Sequence, residues 1–115
     1  MSSENKRISN SAEFRHLCDE YRASKRFVEF TTRKDLMLHE DKSMEEEVLD
    51  RKKLIFNFEC CLSLLDENHN KILKNEINKE PSLWYVGTIS RSTFYRTRQA
   101  AIEIFLNHYH RLAIL

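Results

Sequence analysis

The residues best suited to binding chemistry are concentrated between positions 90 and 99, which read Ser-Arg-Ser-Thr-Phe-Tyr-Arg-Thr-Arg-Gln. This stretch combines hydroxyl groups, guanidinium groups and aromatic rings, and it contains no acid. Guanidinium groups bind phosphates and the edges of guanine bases, and hydroxyl groups bind phosphate oxygens. A helix that begins after Ser90 adds backbone N–H groups and a positive dipole end, both of which favour an anion. The pattern therefore favours a helix end that binds nucleic acid.

Helical spacing divides these residues between an inner and an outer side. Phe94 shares a side with the aliphatic stem of Arg98, Ala101 and Phe105, which predicts that this side faces the core. The residues that we expect to contact DNA are Arg91, Ser92, Thr93, Tyr95, Arg96 and Gln99.

The charge of the chain is unevenly distributed, although its net value is only +1. Residues 35–50 carry seven acids against one lysine, whereas residues 81–115 carry one acid, Glu103, against four arginines. The three glutamates at 45–47 lie where a helix dipole favours acids, but the helix after Ser90 has none there. A solvated basic face is the alternative interpretation of these arginines, and the contrast between the two helix ends favours DNA contact.

Other kinds of site find little support in the residue pattern. Cys60 and Cys61 are adjacent, so they point about 100° apart on a helix, and no CxxC spacing accompanies them. We expect Cys61 in the core and Cys60 at a half-exposed position. His108 and His110 are two residues apart and do not share a helix face. The single glycine cannot form a phosphate-binding loop. We therefore expect no metal, no cofactor and no enzymatic activity.

The composition also predicts where the protein works. Three cysteines, an odd number, fit a reducing interior better than a disulfide scaffold. The first ten residues contain no apolar run, and no stretch approaches the roughly 20 apolar residues of a bilayer span. We expect a cytoplasmic protein with no membrane partner. Its richness in Lys, Asn, Ile, Phe and Glu is typical of an AT-rich bacterial or phage source.

Glycine and proline each occur once in 115 residues, which predicts an all-α fold because strand-rich folds need many tight turns. A first helix is predicted from Asn10 or Ser11 to about Phe30, after a flexible N-terminus at 1–9. Residues 35–42 are interpreted as a short helix or a loop. The apolar residues expected on one face of the first helix are Phe14, Leu17, Cys18, Tyr21 and Val28.

Two further helices precede the only proline. Ser43 and Glu46 form a capping-box pattern that opens the second helix. Asp66 is predicted to be the N-cap of a third helix over 67–78. The apolar residues expected to face the core are Val48, Leu54, Ile55, Phe58, Cys61, Leu62 and Leu65 in the second helix, and Ile72, Leu73 and Ile77 in the third.

The C-terminal part has the order of a helix-turn-helix. After Pro81, residues 82–86 are predicted to form a short helix in which Trp84 and Tyr85 are core aromatics. Residues 87–88 form a turn, and Ile89 follows as a buried anchor. Ser90 then caps a long last helix that runs to about Leu112. In such motifs the N-terminal end of the second helix enters the major groove.

Residues 90–102 resemble the recognition helix of sigma-factor region 4 proteins. They are more similar still to small phage late-gene regulators of the ArpU type, whose helix also reads as serine, a basic residue, Ser-Thr, two aromatics and basic residues. The resemblance covers roughly residues 62–105. It implies binding to promoter or regulatory DNA, in some members alongside RNA polymerase, and by position it assigns DNA contacts to Arg91, Ser92, Tyr95 and Arg96. Residues 83–89 depart from the family, since they are shorter than its usual first helix.

The expected organisation is a small helical bundle with a C-terminal helix-turn-helix and a long last helix. Residues 10–65 form the core and a candidate homodimer face, and residues 66–115 form the sigma region 4-like helix-turn-helix. We expect a regulator of transcription that binds double-stranded DNA.

The alternative is a non-enzymatic adaptor that does not bind DNA. It would associate with RNA polymerase or form oligomers, and its contact patch would consist of Phe27, Phe30, Leu36 and Met37. An exposed face shared by Arg91, Arg96 and Arg98 favours DNA, whereas an acidic segment folded over these arginines favours the adaptor.

Overall fold

The computed structural model describes residues 3–33, 42–79 and 89–114, and these ranges contain α-helices but no strand. This confirms the all-α fold class and the small bundle. None of the described helices combines the length and the apolar character that a membrane crossing requires. The helices are α1 (Ser3–Arg33), α2 (Lys42–Ser63), α3 (Glu67–Ile77) and α4 (Arg91–Ile114).

The centre of the core is an aromatic junction, which we define as Phe14, Phe58 and Phe105. One ring comes from each of α1, α2 and α4, and all three side chains are fully buried. Phe105 meets Phe14 edge-to-face at 5.2 Å and Phe58 at 4.9 Å between ring centroids. Such pairs contribute about 0.5–1.5 kcal/mol beyond the burial of their area. The junction therefore fixes three helices relative to one another.

The buried positions follow the predicted helical spacing. Cys61 is buried and Cys60 is half-buried, as predicted, whereas Val28 and Val48, at the ends of their stripes, are only half-buried. The buried apolar residues are Phe14, Leu17, Cys18 and Tyr21 in α1; Phe58, Cys61, Leu62 and, just after the helix, Leu65 for α2; Ile72, Leu73 and Ile77 in α3; and Phe94, Ala101, Ile102, Phe105 and Leu106 in α4.

α1 and α2 pack antiparallel. The Tyr21 ring stacks on Phe58 at 4.2 Å, and its hydroxyl donates to Glu59 at 2.8 Å. Further along α1, the hydroxyl of the fully buried Ser24 accepts from Arg51, which lies earlier in α2. Because later residues of α1 meet earlier residues of α2, the two helices run in opposite directions. Burial and the bond to Glu59 both raise the pKa of Tyr21.

α4 crosses α1 steeply at the aromatic junction. The Ser11 hydroxyl donates to the side-chain oxygen of Gln99 at 3.3 Å, and Glu13 pairs with His110. Gln99 and His110 lie roughly three turns apart along α4, yet their partners lie within one turn of α1. In these contacts only a short part of α1 meets α4, and it lies across the middle of that helix.

α3 is held at both of its ends. The Asp66 carboxylate accepts from the His69 amide at 2.9 Å, which confirms Asp66 as the N-cap. At the other end, Asn78 is the C-cap and Lys79 adopts a left-handed conformation with φ 56°. The Ile77 carbonyl there accepts from the Arg22 guanidinium of α1 at 2.7 Å.

Three predicted boundaries were wrong. α1 begins at Ser3 rather than at Asn10 or Ser11, so residues 3–9 are helical and not irregular. Once packing has nucleated a helix, each added residue gains a hydrogen bond, and the helix extends beyond its buried face. α1 also continues past Phe30, because Thr31 is buried and its hydroxyl donates to the Phe27 carbonyl at 2.8 Å. α2 begins at Lys42, so Ser43 lies inside the helix instead of capping it.

Several predictions on the connecting segments fall outside the described residues. These are the short helix or loop at 35–42, except for Lys42, which belongs to α2, the short helix at 82–86 with its aromatic residues, and the turn at 87–88. The first element of the predicted helix-turn-helix therefore stays a prediction. Ile89 is described, and it is 38% exposed instead of buried. It lies at the bend before the helix cap, and Phe94, one turn inside α4, takes the buried position.

Phe105→Ala should remove a large part of the stability of the fold. Truncation of a fully buried phenylalanine costs about 3–5 kcal/mol, which is a large share of a typical total of about 5–15 kcal/mol. Urea unfolding followed by far-UV circular dichroism measures the loss. Ile104→Ala changes the neighbouring position, which is 38% exposed, and should cost much less. Equal losses for the two variants would contradict the described burial.

Stability should fall at alkaline pH because of the buried thiols. Burial raises the pKa of Cys18 from 9.0 to about 12, with a smaller contribution from the Glu76 carboxylate, and burial raises that of Cys61 to about 11. The unfolded chain loses the thiol protons from about pH 9 upward, while the folded chain keeps them. The contribution of the two thiols to the free energy of unfolding is therefore complete below that pH and declines above it. Unfolding free energies at about pH 8 and pH 10 should differ by roughly 1 kcal/mol per thiol, and Cys18→Ala should reduce the difference.

Candidate nucleic-acid interface

The N-terminal end of α4 is capped by Ser90, as predicted. The Ser90 hydroxyl oxygen accepts from the Thr93 amide at 3.1 Å, and the Ser90 carbonyl accepts from the Phe94 amide at 3.0 Å. The same hydroxyl donates to the Thr93 side-chain oxygen at 2.8 Å and lies 3.3 Å from that of Ser92. Three hydroxyl groups are thus gathered at the positive end of the helix dipole, and the first turn contains no acid.

Five of the six predicted contact residues lie on the exposed side of this helix end, which we call the α4 face. Phe94 divides the two sides, since it is 5% exposed while the adjacent Tyr95 is 50% exposed. The α4 face consists of Arg91, Ser92, Thr93, Tyr95 and Arg96, all of which are exposed. It combines two guanidinium groups with three hydroxyl groups, the set that the sequence predicted for phosphates and base edges.

Tyr95 supports the side chain of Arg91. The Arg91 guanidinium carbon lies 5.7 Å from the centroid of the Tyr95 ring, one helical turn away, and the Tyr95 ring in turn contacts Phe94 edge-to-face at 5.5 Å. A long charged side chain loses conformational freedom when it binds a ligand. Because Arg91 already rests on an aromatic ring that is anchored to the core, part of that ordering precedes binding.

Arg98 does not share the α4 face. Its guanidinium forms two hydrogen bonds with the Glu76 carboxylate of α3, from Nε at 2.8 Å and from Nη2 at 2.6 Å. The two side chains are only 19% and 26% exposed. The bonds to Glu76 raise the pKa of Arg98 further above its usual range. The exposed face that was to favour DNA is therefore shared by Arg91 and Arg96 only, and Arg98 lies on the core side of α4. It holds α4 against α3.

Gln99 lies toward α1 rather than with the other predicted contact residues. Its side-chain oxygen accepts the hydroxyl of Ser11, and the residue is half-buried. The DNA role that the sequence predicted for Gln99 stays a prediction. Neither this contact nor the pairing of Arg98 with Glu76 was visible in the sequence. Each depends on which helix packs beside the inner side of α4, and spacing along a single helix does not contain that information.

The described part of the acidic segment at 35–50 does not cover the α4 face. Its acids are exposed near the start of α2, and they are Glu45, Glu46, Glu47 and Asp50. That end of α2 lies beside the C-terminal half of α1, where Arg51 pairs with Glu47 and contacts Ser24. Two distinct surfaces result, an acidic one at the start of α2 and a basic one at the start of α4.

The contact patch of the alternative function is described only in part. Phe30 is 59% exposed at the end of α1. Phe27 is half-buried, and the Arg51 guanidinium lies 5.7 Å from its ring centroid. Leu36 and Met37 fall outside the described residues.

Comparison of the chain with protein-family models, with curated proteins and with solved structures finds no match in any of the three.

Glu76→Gln should destabilise the junction of α3 and α4. The change leaves the half-buried Arg98 cation without its counter-charge, and such a loss costs about 2 kcal/mol. Glu29→Gln removes an acid from the exposed side of α1 and should change stability by less than about 0.5 kcal/mol. Thermal unfolding of the two variants checks the difference. If both unfold at the wild-type temperature, the pair does not hold the helices together.

Proposed function

We propose that the protein is a DNA-binding regulator of transcription whose α4 face enters the major groove of double-stranded DNA. The observation that carries the proposal is the placement of Arg91, Tyr95 and Arg96 on the open side of a serine-capped helix end. Arginine is the commonest side chain for specific contact with guanine, and hydroxyl groups bind phosphates. An exposed helix end with this chemistry suits the N-terminal part of a recognition helix.

The difference between the buried and the exposed side of α4 supports the same proposal. Phe94, Arg98 and Ala101 face the protein, where they pack in the core or bind Glu76. The α4 face is thus offered on a helix whose other side is fixed by packing, and binding sites on rigid elements are more precise than sites on loops. The resemblance of residues 90–102 to sigma-factor region 4 and ArpU-type regulators points in the same direction.

The finer parts of the proposal follow from that resemblance. We place the protein in the cytoplasm of a bacterial or phage-infected cell, where its DNA is found. RNA polymerase and a second copy of the chain are the proposed protein partners, because region 4 proteins act at promoters and many readers of the major groove bind as pairs.

The alternative function, an adaptor that does not bind DNA, is favoured by one observation. Phe30 is a large apolar side chain that is 59% exposed at the end of α1, away from the α4 face. The DNA titration below distinguishes the two functions, because the adaptor has no salt-dependent affinity for a duplex.

Replacement of the two arginines of the α4 face should weaken DNA binding and reduce its salt dependence. The DNA target is first selected from a random pool with the purified protein, and the duplex is then titrated by fluorescence anisotropy between about 50 and 200 mM salt. Each lost phosphate contact reduces the slope of log K against log salt by about 0.9, and each lost guanine contact costs about 1–3 kcal/mol. Arg91→Ala/Arg96→Ala should therefore lose at least tenfold in affinity.

The matched control is Lys52→Ala/Lys53→Ala, which removes the same charge from the exposed side of α2. It should bind as the wild type does. Equal losses in both variants would indicate a general charge effect and contradict the α4 face. A wild-type protein that binds no duplex at low salt would contradict the proposed function as a whole.

A further inference from the structure

A second basic surface lies on the other side of α3, in a groove between α1 and the end of α3. The groove has a volume of about 340 Å³, against a share of about 30 Å³ for one water molecule in the liquid. Its charged lining consists of Arg22, Lys25, Arg26 and Lys79, and no carboxylate of the described residues lines it. We call this surface the α1–α3 groove. It has the size and the charge to admit a solvated phosphate group.

Two of these cations already have partners within the fold. Arg22 donates to the Ile77 carbonyl and pairs with Asp19. The Lys25 ammonium lies 5.4 Å from the centroid of the Tyr21 ring. Arg26 and Lys79 differ from them, because neither side chain forms an ion pair or hydrogen bond with another described residue. Two of the groove's four cations therefore have no ion-pair or hydrogen-bond partner among the described residues.

The cations of the groove are closely spaced along α1. Arg22 lies three residues from Lys25 and four from Arg26, the spacings at which like charges on a helix repel each other, and the acids Asp19 and Glu29 at the same spacings offset part of this repulsion. Lys79 adds a fourth charge from a left-handed backbone position, where glycine or asparagine is usual after a helix end. A negatively charged ligand reduces the repulsion between these cations and forms an ion pair with the Lys79 side chain.

We infer that the α1–α3 groove binds phosphates of the nucleic-acid backbone next to the site occupied by the α4 face. The inference rests on the proposed function. The last turn of α3 contacts both helices that carry these surfaces, since its Ile77 carbonyl binds Arg22 of α1 while its Glu76 binds Arg98, two residues after the α4 face. In the proposed complex one duplex contacts both surfaces. The groove positions the protein on the backbone, and the α4 face reads the bases.

The test compares two double variants of the full chain on the selected duplex. Arg26→Gln/Lys79→Gln removes the two cations without internal ion pairs, and Lys52→Gln/Lys53→Gln removes two cations from α2 as the control. The groove variant should reduce the salt slope by about two units, because each phosphate contact contributes about 0.9. Its affinity should fall by a similar factor for every DNA sequence, whereas Arg91→Ala/Arg96→Ala should also change the base preference.

The outcomes separate this inference from the proposed function. A groove variant with the wild-type salt slope, alongside weakened binding by the Arg91/Arg96 variant, overturns the groove and leaves the proposed function standing. A groove variant with a lower unfolding temperature and an unchanged salt slope overturns the inference as well. The cations would then only stabilise the C-terminal end of α3, which is the negative end of its helix dipole. A wild-type protein that binds polyglutamate as tightly as DNA overturns the assignment to nucleic acid. If the wild type binds no duplex, both proposals fail.

Discussion

The contact of Phe105 with Phe14 and Phe58 is the constraint on which the rest of the structure depends. α1, α2 and α4 contribute one ring each. Displacement of Phe105 would therefore break its contacts with both other helices. α3, the shortest described helix, lies outside this junction. It is held by its buried Ile72, Leu73 and Ile77 and by polar bonds to Arg22 of α1 and Arg98 of α4. The fold thus has an apolar centre, to which α3 is attached by both apolar and charged contacts. Both proposed binding surfaces adjoin that attachment.

This arrangement explains how one helix serves as both core and surface. The inner side of α4 supplies Phe94, Ala101 and Phe105 to the interior, and its first two turns carry the α4 face on the outside. Arg98, the arginine of these turns that points inward, forms an ion pair with Glu76 of α3. The remaining cations of α4's first turns are directed to solvent on a support that packing has made rigid. In the described part of the acidic segment, the acids lie near the start of α2, beside the C-terminal half of α1.

Periodicity predicted the class of fold, the buried side of every described helix and the caps at Asp66 and Ser90, because each of these depends on residues within one or two turns of each other. It did not predict that α1 begins at Ser3, since helix extension beyond a packed face leaves no apolar pattern. It misjudged Ile89 and did not predict the partner of Arg98. That partner lies on another helix, and the exposure of Ile89 depends on how the chain bends before the cap. The cations of the α1–α3 groove were missed for the same reason, because two separate helices bring them together.

The crossing of α1 over α4 has a consequence for the order of folding. Ser11 and Glu13 bind Gln99 and His110, which lie 88 and 97 positions later, and Phe14 meets Phe105. During synthesis, this part of the apolar side of α1 therefore stays uncovered until α4 has been made. Closing so long a loop is entropically slow even though each helix forms rapidly by itself. A nascent chain that is released early therefore presents Phe14 and Phe58 to its neighbours, and truncation within α4 favours aggregation over a smaller folded bundle.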